Sequence, residues 1–202
     1  TLYTSRDQAT AECSAAAKHA LGRTSRFSAL RDRHTRAWLE LWKTYDIVVE
    51  GRPRIQLLLR LHAFHLLQTV SSHTLDLDVS IPARGLHGEA YRGHIFWDEL
   101  FIFPFFTPRT PALTRSLLLY RYRRLPQARR AAHQAGYQGA MYPWQSGSDG
   151  REESQVVHLN PSSGRWIPDH SSLQRHVSIA IAYNIWQYYQ ATGDQEFLTN
   201  YG

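Results

Sequence analysis

Residues 171–193 read SSLQRHVSIAIAYNIWQYYQATG, and their spacing decides the fold class. Leu173, Val177, Ile181 and Ile185 step by four, which places them on one face of an α-helix. A serine at 171 or 172 supplies an N-cap acceptor, and Gly193 tolerates the left-handed backbone of a helix stop. Asp194 to Asn200 reads as the start of another helix. The same period recurs upstream. Pro126 to Ala135 is a short helix stopped by Gly136, and Thr110-Pro111 opens one that turns Leu113, Leu117 and Leu118 inward. Ile55 to Gln68, opened by Pro53, is apolar nearly all round, the pattern of a buried helix. Ser25 to Thr44 carries Phe27, Leu30, His34, Trp38, Leu41 and Trp42 as one stripe. Ser5 to Ala20 is rich in Ala, with Gly22 as its stop. Tyr45 to Glu50 is a short β-branched run, either a strand or an extended link, closed by Gly51.

The chain is therefore predicted to be all-α. Two long segments, Thr69 to Thr107 and Tyr137 to His170, interrupt the helices, and both are rich in Gly, Trp, His and carboxylates. Long connections in a compact domain tend to carry function. The pattern predicts an α/α architecture whose working face is made by loops.

With 202 residues, 43% hydrophobic and 20% charged, the chain fits one domain or a large piece of a bigger one, and not a disordered, collagenous or coiled-coil protein. No apolar run approaches the roughly 20 residues of a membrane helix, so no membrane partner is expected. The single Cys13 rules out a disulfide framework and has no adjacent base to make it a nucleophile. His62 and His65 lie three apart with no third ligand at suitable spacing, so they read as packing residues and no metal is expected. No phosphate-cradling or dinucleotide glycine motif is present. The net charge of +6 is almost all arginine, densest between Arg115 and Arg130. Interspersed as it is with acids and aromatics, it reads as a solvated face, and no nucleic-acid partner is expected. The chain opens at Thr1 without a basic-then-apolar leader and stops at Gly202 inside an opening helix. The expectation is an internal piece of a longer, cytoplasmic protein.

The two long segments share one chemistry. Phe96-Trp97-Asp98-Glu99 sets an indole beside a carboxylate, and Arg84, His87, Glu89, Arg92 and His94 precede it. An indole face covers the apolar C–H side of a pyranose while a carboxylate accepts bonds from neighbouring hydroxyls. The competing reading makes the aromatics from Phe96 to Phe106 core, with Asp98 capping the following turn. In the second segment Trp144-Gln145 precedes a small-residue turn, and Glu152-Glu153 reads as a solvated turn. Converging, the two segments would stack on and hydrogen-bond a polyol.

HLLQT (65–69), ARGLHGEAYRGHIFWDE (83–99), LLLYRYRRLPQARRAA (117–132), GYQGAMYPWQS (136–146) and IAYNIWQYYQATGD (181–194) together resemble glycoside hydrolase family 65, the maltose, kojibiose and trehalose phosphorylases with related glucosidases. The resemblance covers about two thirds of the chain and implies part of an (α/α)6 barrel. Residues 1–50 would be linker helices preceding the barrel, and residues 51–202 its N-terminal half. It implies that Trp97 and Asp98 hold the glucosyl unit and that Trp144 and Gln145 line the pocket, with Arg84 a further substrate-binding candidate. Gln145 stands where the family has Glu, and Glu99 where FWDT is commoner. The family's general acid, the Glu of a Gly-Pro-Asp-Glu-Tyr-like motif, has no counterpart in these residues and is expected beyond Gly202. No catalytic residue is therefore assigned within the chain, and residues 1–202 alone are expected to be inactive. The implied reaction is inverting phosphorolysis of a disaccharide or glucoside to glucose 1-phosphate, with inorganic phosphate as co-substrate, no cofactor, and a homodimer as a compatible assembly. The alternatives are a trehalase-like hydrolase or, for the isolated chain, a non-catalytic sugar-binding piece.

Overall fold

The structure, a computed structural model, describes residues 9–85, 88 and 90–202. The first turns of the Ser5–Ala20 helix, and the candidate polar groups His87 and Glu89, lie outside the described residues. The chain divides into two compact units, residues 1–46 and 47–202. In the first, a 3-10 turn (Thr10–Glu12) runs into α1 (Cys13–Gly22), followed by α2 (Phe27–Tyr45). Gly22 is the last helical residue rather than a left-handed stop; Arg23 caps the helix by donating its N–H to the carbonyls of its last turn. Along α2, His34, Trp38 and Trp42 stack in sequence at 6.3 and 6.1 Å between ring centroids.

The second unit opens on an extended link, not a strand. Gln56 pins it, accepting from the Val49 N–H at 2.7 Å and donating to the Ile47 carbonyl at 2.9 Å. Then come α3 (Pro53–Leu67), α4 (Glu99–Phe106), α5 (Pro111–Arg123), α6 (Leu125–Gln134), α7 (Val177–Thr192) and α8 (Gln195–Tyr201). The core forms where α4, α5 and α7 pack on one another, with α6 against α5, and α8 against both α5 and α7. Phe106, Leu117 and Val177 are completely buried there. Each such side chain contributes about 1.5–3 kcal/mol relative to exposure. This is the all-α packing of part of an (α/α) barrel. Among the described residues no helix is long and apolar enough to cross a membrane.

Four departures from the sequence reading have physical causes. The segment 69–107 contains α4, which the run ELFIFPFF hides: Pro104 removes one helical N–H, and a helix with no polar face shows no period. The segment 137–170 contains an antiparallel hairpin, β1 (Val157–Asn160) with β2 (Arg165–Pro168). Asn160 Oδ1 accepts from the N–H groups of Ser162 and Ser163 and Gly164 takes φ +65°, so NPSSG is its turn signal. Helix α7 begins at Val177, because Ser171–Leu173 closes on itself as a 3-10 turn and Gln174 is extended. Neither serine caps it, and Leu173 is exposed. Lastly, α3 is not buried: Ile55, Leu57, Leu58 and Leu61 face solvent and only Ala63 is fully covered. Burying an all-apolar helix takes neighbours on every flank, and the described residues leave that face open.

Candidate functional site

A pair of backbone bonds between Ile95 and Ser146, at 3.0 and 2.9 Å, joins the two long segments. The junction is fixed from beneath. Ser146 is buried, its hydroxyl lies 2.8 Å from the Tyr120 hydroxyl, and Tyr120 donates to the Gly147 carbonyl at 2.5 Å. Burial pushes the Tyr120 hydroxyl above its usual pKa, so it stays protonated and able to donate. Residues flanking this bridge carry the indoles. Trp97 and Trp144 come within 6.3 Å between centroids, tilted by 45°. Both rest on the cluster of Ala128, Tyr142, Val177 and Ile181.

His176 joins them. Its ring meets Trp97 at 4.5 Å and Trp144 at 5.4 Å, edge to face in both cases, and its Nε2 is buried without a hydrogen-bond partner among the described residues. The sequence reading missed it, because a single His before a helix carries no motif. Trp144 also takes the edge of Phe96 at 5.6 Å.

Glu152 is exposed, as a turn residue would be, but its carboxylate is also a hydrogen-bonded clamp. One carboxylate oxygen accepts from the Trp144 N–H at 2.8 Å, and the other accepts from Gln145 N–H, Ser154 N–H and Ser154 Oγ–H at 3.1, 3.1 and 2.7 Å. Four donors on one carboxylate fix the backbone that carries Trp144 and Gln145.

Gln145 lines a cleft of about 450 Å³ with Phe96 and Trp144 on its aromatic side and Arg92, Gln155 and Asp169 among its polar groups. Its Nε2 lies 2.7 Å from His94 Nδ1. Tyr91 and Arg92, beside the cleft, take φ of +58° and +56°, a left-handed conformation that costs non-glycine residues energy and clusters at functional sites. Asp169 ties the hairpin to the cleft. Ser171 N–H donates to it at 2.8 Å and Gln155 Nε2 at 3.2 Å, and His158 Nδ1 lies 3.4 Å away. Bonds from Ser171, then from Gln155 and the nearby His158, lower its carboxyl to about 2. Its folded pKa thus lies below the roughly 3.9 of an unfolded Asp. The stabilisation is present above pH 4 and lost as pH falls towards 2. Asp169→Asn is expected to lower the melting temperature at pH 5, with the gap from wild type narrowing through pH 3 and closing only below pH 2. A gap constant with pH would contradict that role.

Asp98 occupies the N-cap position of α4, but its carboxylate makes no cap hydrogen bond; its carbonyl instead accepts from Phe101 and Ile102 N–H at 2.9 and 3.2 Å. Behind it Glu99 is buried, accepting from Arg121 Nε at 3.0 Å and Ser80 Oγ at 2.5 Å, while Arg121 Nη2 donates to the Phe96 carbonyl at 2.5 Å. The arginine-dense stretch is thus partly internal: Arg121 pairs with Glu99, Arg124 and Arg123 with Asp78, and Arg115 with Asp194. Arg84 is exposed, on a segment where Gly85 presses against the backbone just after α3; a Cβ on Gly85 would lie 2.5 Å from the Gln68 carbonyl oxygen. Among the described residues, no ring contact or hydrogen bond joins Arg84 to the indoles. The structure thus brings Trp97 and Trp144 together, with Gln145 beside Trp144 in the cleft.

The chain matches known proteins along its whole length. A family model for the glycosyl hydrolase family 65 central catalytic domain matches residues 60–202. Over all 202 residues the chain is 56% identical to an uncharacterized glycosyl hydrolase of Mycobacterium tuberculosis, spanning 15% of that protein. It is 46% identical to the trehalose 6-phosphate phosphorylase of Lactococcus lactis, over 87% of this chain and 23% of that one. A solved structure provisionally assigned as a kojibiose phosphorylase, from the human microbiome, superposes with a TM-score of 0.73 at 27% identity, covering 94% of this chain and 23% of the other. The chain thus spans less than a quarter of the length of these relatives.

Proposed function

The chain belongs to glycosyl hydrolase family 65, and on that premise we propose that it forms the sugar-holding half of a site that cleaves an α-glucosidic bond with inorganic phosphate. Residues 51–202 are read as the first half of the catalytic barrel and residues 1–50 as the helices that lead into it. The observation that carries the reading is the indole pair, Trp97 and Trp144 at 6.3 Å, set beside the cleft that Gln145 lines. Two aromatic faces with a polar group at their edge suit the apolar face and hydroxyl rim of a glucose ring. Asp98, whose carboxylate makes no cap bond, would accept two sugar hydroxyls.

The complete protein would act as an inverting disaccharide phosphorylase. A protonated Glu from polypeptide outside residues 1–202 gives its proton to the glycosidic oxygen as the C1–O bond breaks. A phosphate oxygen bonds C1 from the opposite face, yielding glucose 1-phosphate and the released sugar. Phosphate is already anionic and needs no base, whereas water would need a second carboxylate. Trp97 and Asp98 would support the oxocarbenium-like ring in the transition state. Incubating the full-length protein with kojibiose, trehalose or trehalose 6-phosphate, with and without phosphate, tests this. Glucose 1-phosphate formed only with phosphate is expected; glucose released at the same rate without it would make the protein a hydrolase.

A further inference from the structure

Gln145 has nearly all its polar atoms committed. Its N–H goes to Glu152, its carbonyl accepts from Glu153 N–H at 2.9 Å, and its side-chain Nε2 is 2.7 Å from His94 Nδ1. An amide side chain carries two donors at one end and an acceptor at the other, and the two ends differ only by a half-turn about the last bond. Whichever end His94 holds, the other end is turned away from it. In the orientation the structure shows, the amide nitrogen is the end that faces His94, so Nδ1 accepts one N–H of the amide. The amide's one side-chain hydrogen bond among the described residues is then the one to His94, and Oε1 is left to face elsewhere. It belongs to a residue lining the cleft of about 450 Å³, beside Phe96 and Trp144.

We propose that His94 is a positioning residue that fixes the sense of the Gln145 amide, so that Gln145 accepts a hydrogen bond from a hydroxyl of the bound sugar. The inference rests on the reading of this cleft as a sugar site. It makes Gln145 specific for a ring position that bears a free hydroxyl. It also gives the neutral amide the accepting role that a carboxylate would play at the same place.

The test uses the full-length protein and the disaccharide it turns over best. Gln145→Leu removes the acceptor and should raise KM about tenfold, the scale of one lost hydrogen bond to a ligand. Gln145→Glu keeps an acceptor and loses the donors, and should raise KM by no more than about threefold. His94→Phe keeps a ring of similar size without a nitrogen and frees the amide to turn, so KM should rise roughly three- to tenfold with kcat changed less. His94→Asn places a carbonyl oxygen where Nδ1 stands and should recover most of that loss. A purely structural His94 would give no such recovery. The proposal is overturned if Gln145→Glu loses as much as Gln145→Leu, because Gln145 would then donate. It is overturned equally if His94→Phe, folded as judged by its melting temperature, leaves KM unmoved. A wild-type protein that binds no α-glucoside in calorimetry would instead remove the sugar-site reading beneath it.

Discussion

Replacing Arg121 with methionine is expected to cost about 3–5 kcal/mol of stability, the usual penalty for leaving a buried charge without its partner. Arg121 and Glu99 side chains are each only 2% exposed, and their 3.0 Å contact is backed by Ser80 on one side and the Phe96 carbonyl on the other. Removing the guanidinium strands the Glu99 carboxylate in the core and takes the donor from the carbonyl that immediately precedes Trp97. The loss should therefore appear twice, as a lower melting temperature of the intact protein and as weaker sugar binding. Converting both partners, Arg121→Met with Glu99→Met, should recover at least half of the lost stability, because two apolar side chains leave no bare charge. A single variant that melts with wild type would mean that solvent reaches the pair.

Asp98→Asn in the full-length protein should behave oppositely. Its carboxylate makes no cap bond, so the change should leave melting within a degree or two, while turnover falls at least about tenfold, a ΔΔG‡ near 1.4 kcal/mol. The loss should appear in kcat and in kcat/KM alike, as for a bond that tightens as the ring takes on positive charge. Kinetics equal to wild type would remove Asp98 from the site. Together the two variants separate what holds the Phe-Trp-Asp-Glu run in place from what that run does.

That run shows how unevenly the site is legible. Trp97, Asp98, Trp144 and Gln145 are singled out by the motifs that carry the family resemblance, since a Trp-Asp pair alone reads equally well as core and cap. Glu99, their neighbour, gives no sign in the sequence that it lies in the core, since its partner Arg121 sits 22 positions away on α5. The clamp of Glu152 on Trp144 and Gln145 spans only seven or eight residues, yet two adjacent acids after a glycine look like any solvated turn. His176 carries no local signal at all; only the packing of α7 on α4 brings it against Trp97.

By itself the sequence determined where most helices run, because the 3.6-residue period, the glycine at the end of α7 and prolines at first positions are local consequences of backbone geometry. Pairings between distant residues were left to the tertiary structure, along with the start of α7, the helix hidden in ELFIFPFF and the exposure of α3. The reason is physical: a side chain's charge, burial and hydrogen bonds depend on which elements come to lie beside it, and chain separation alone does not encode that.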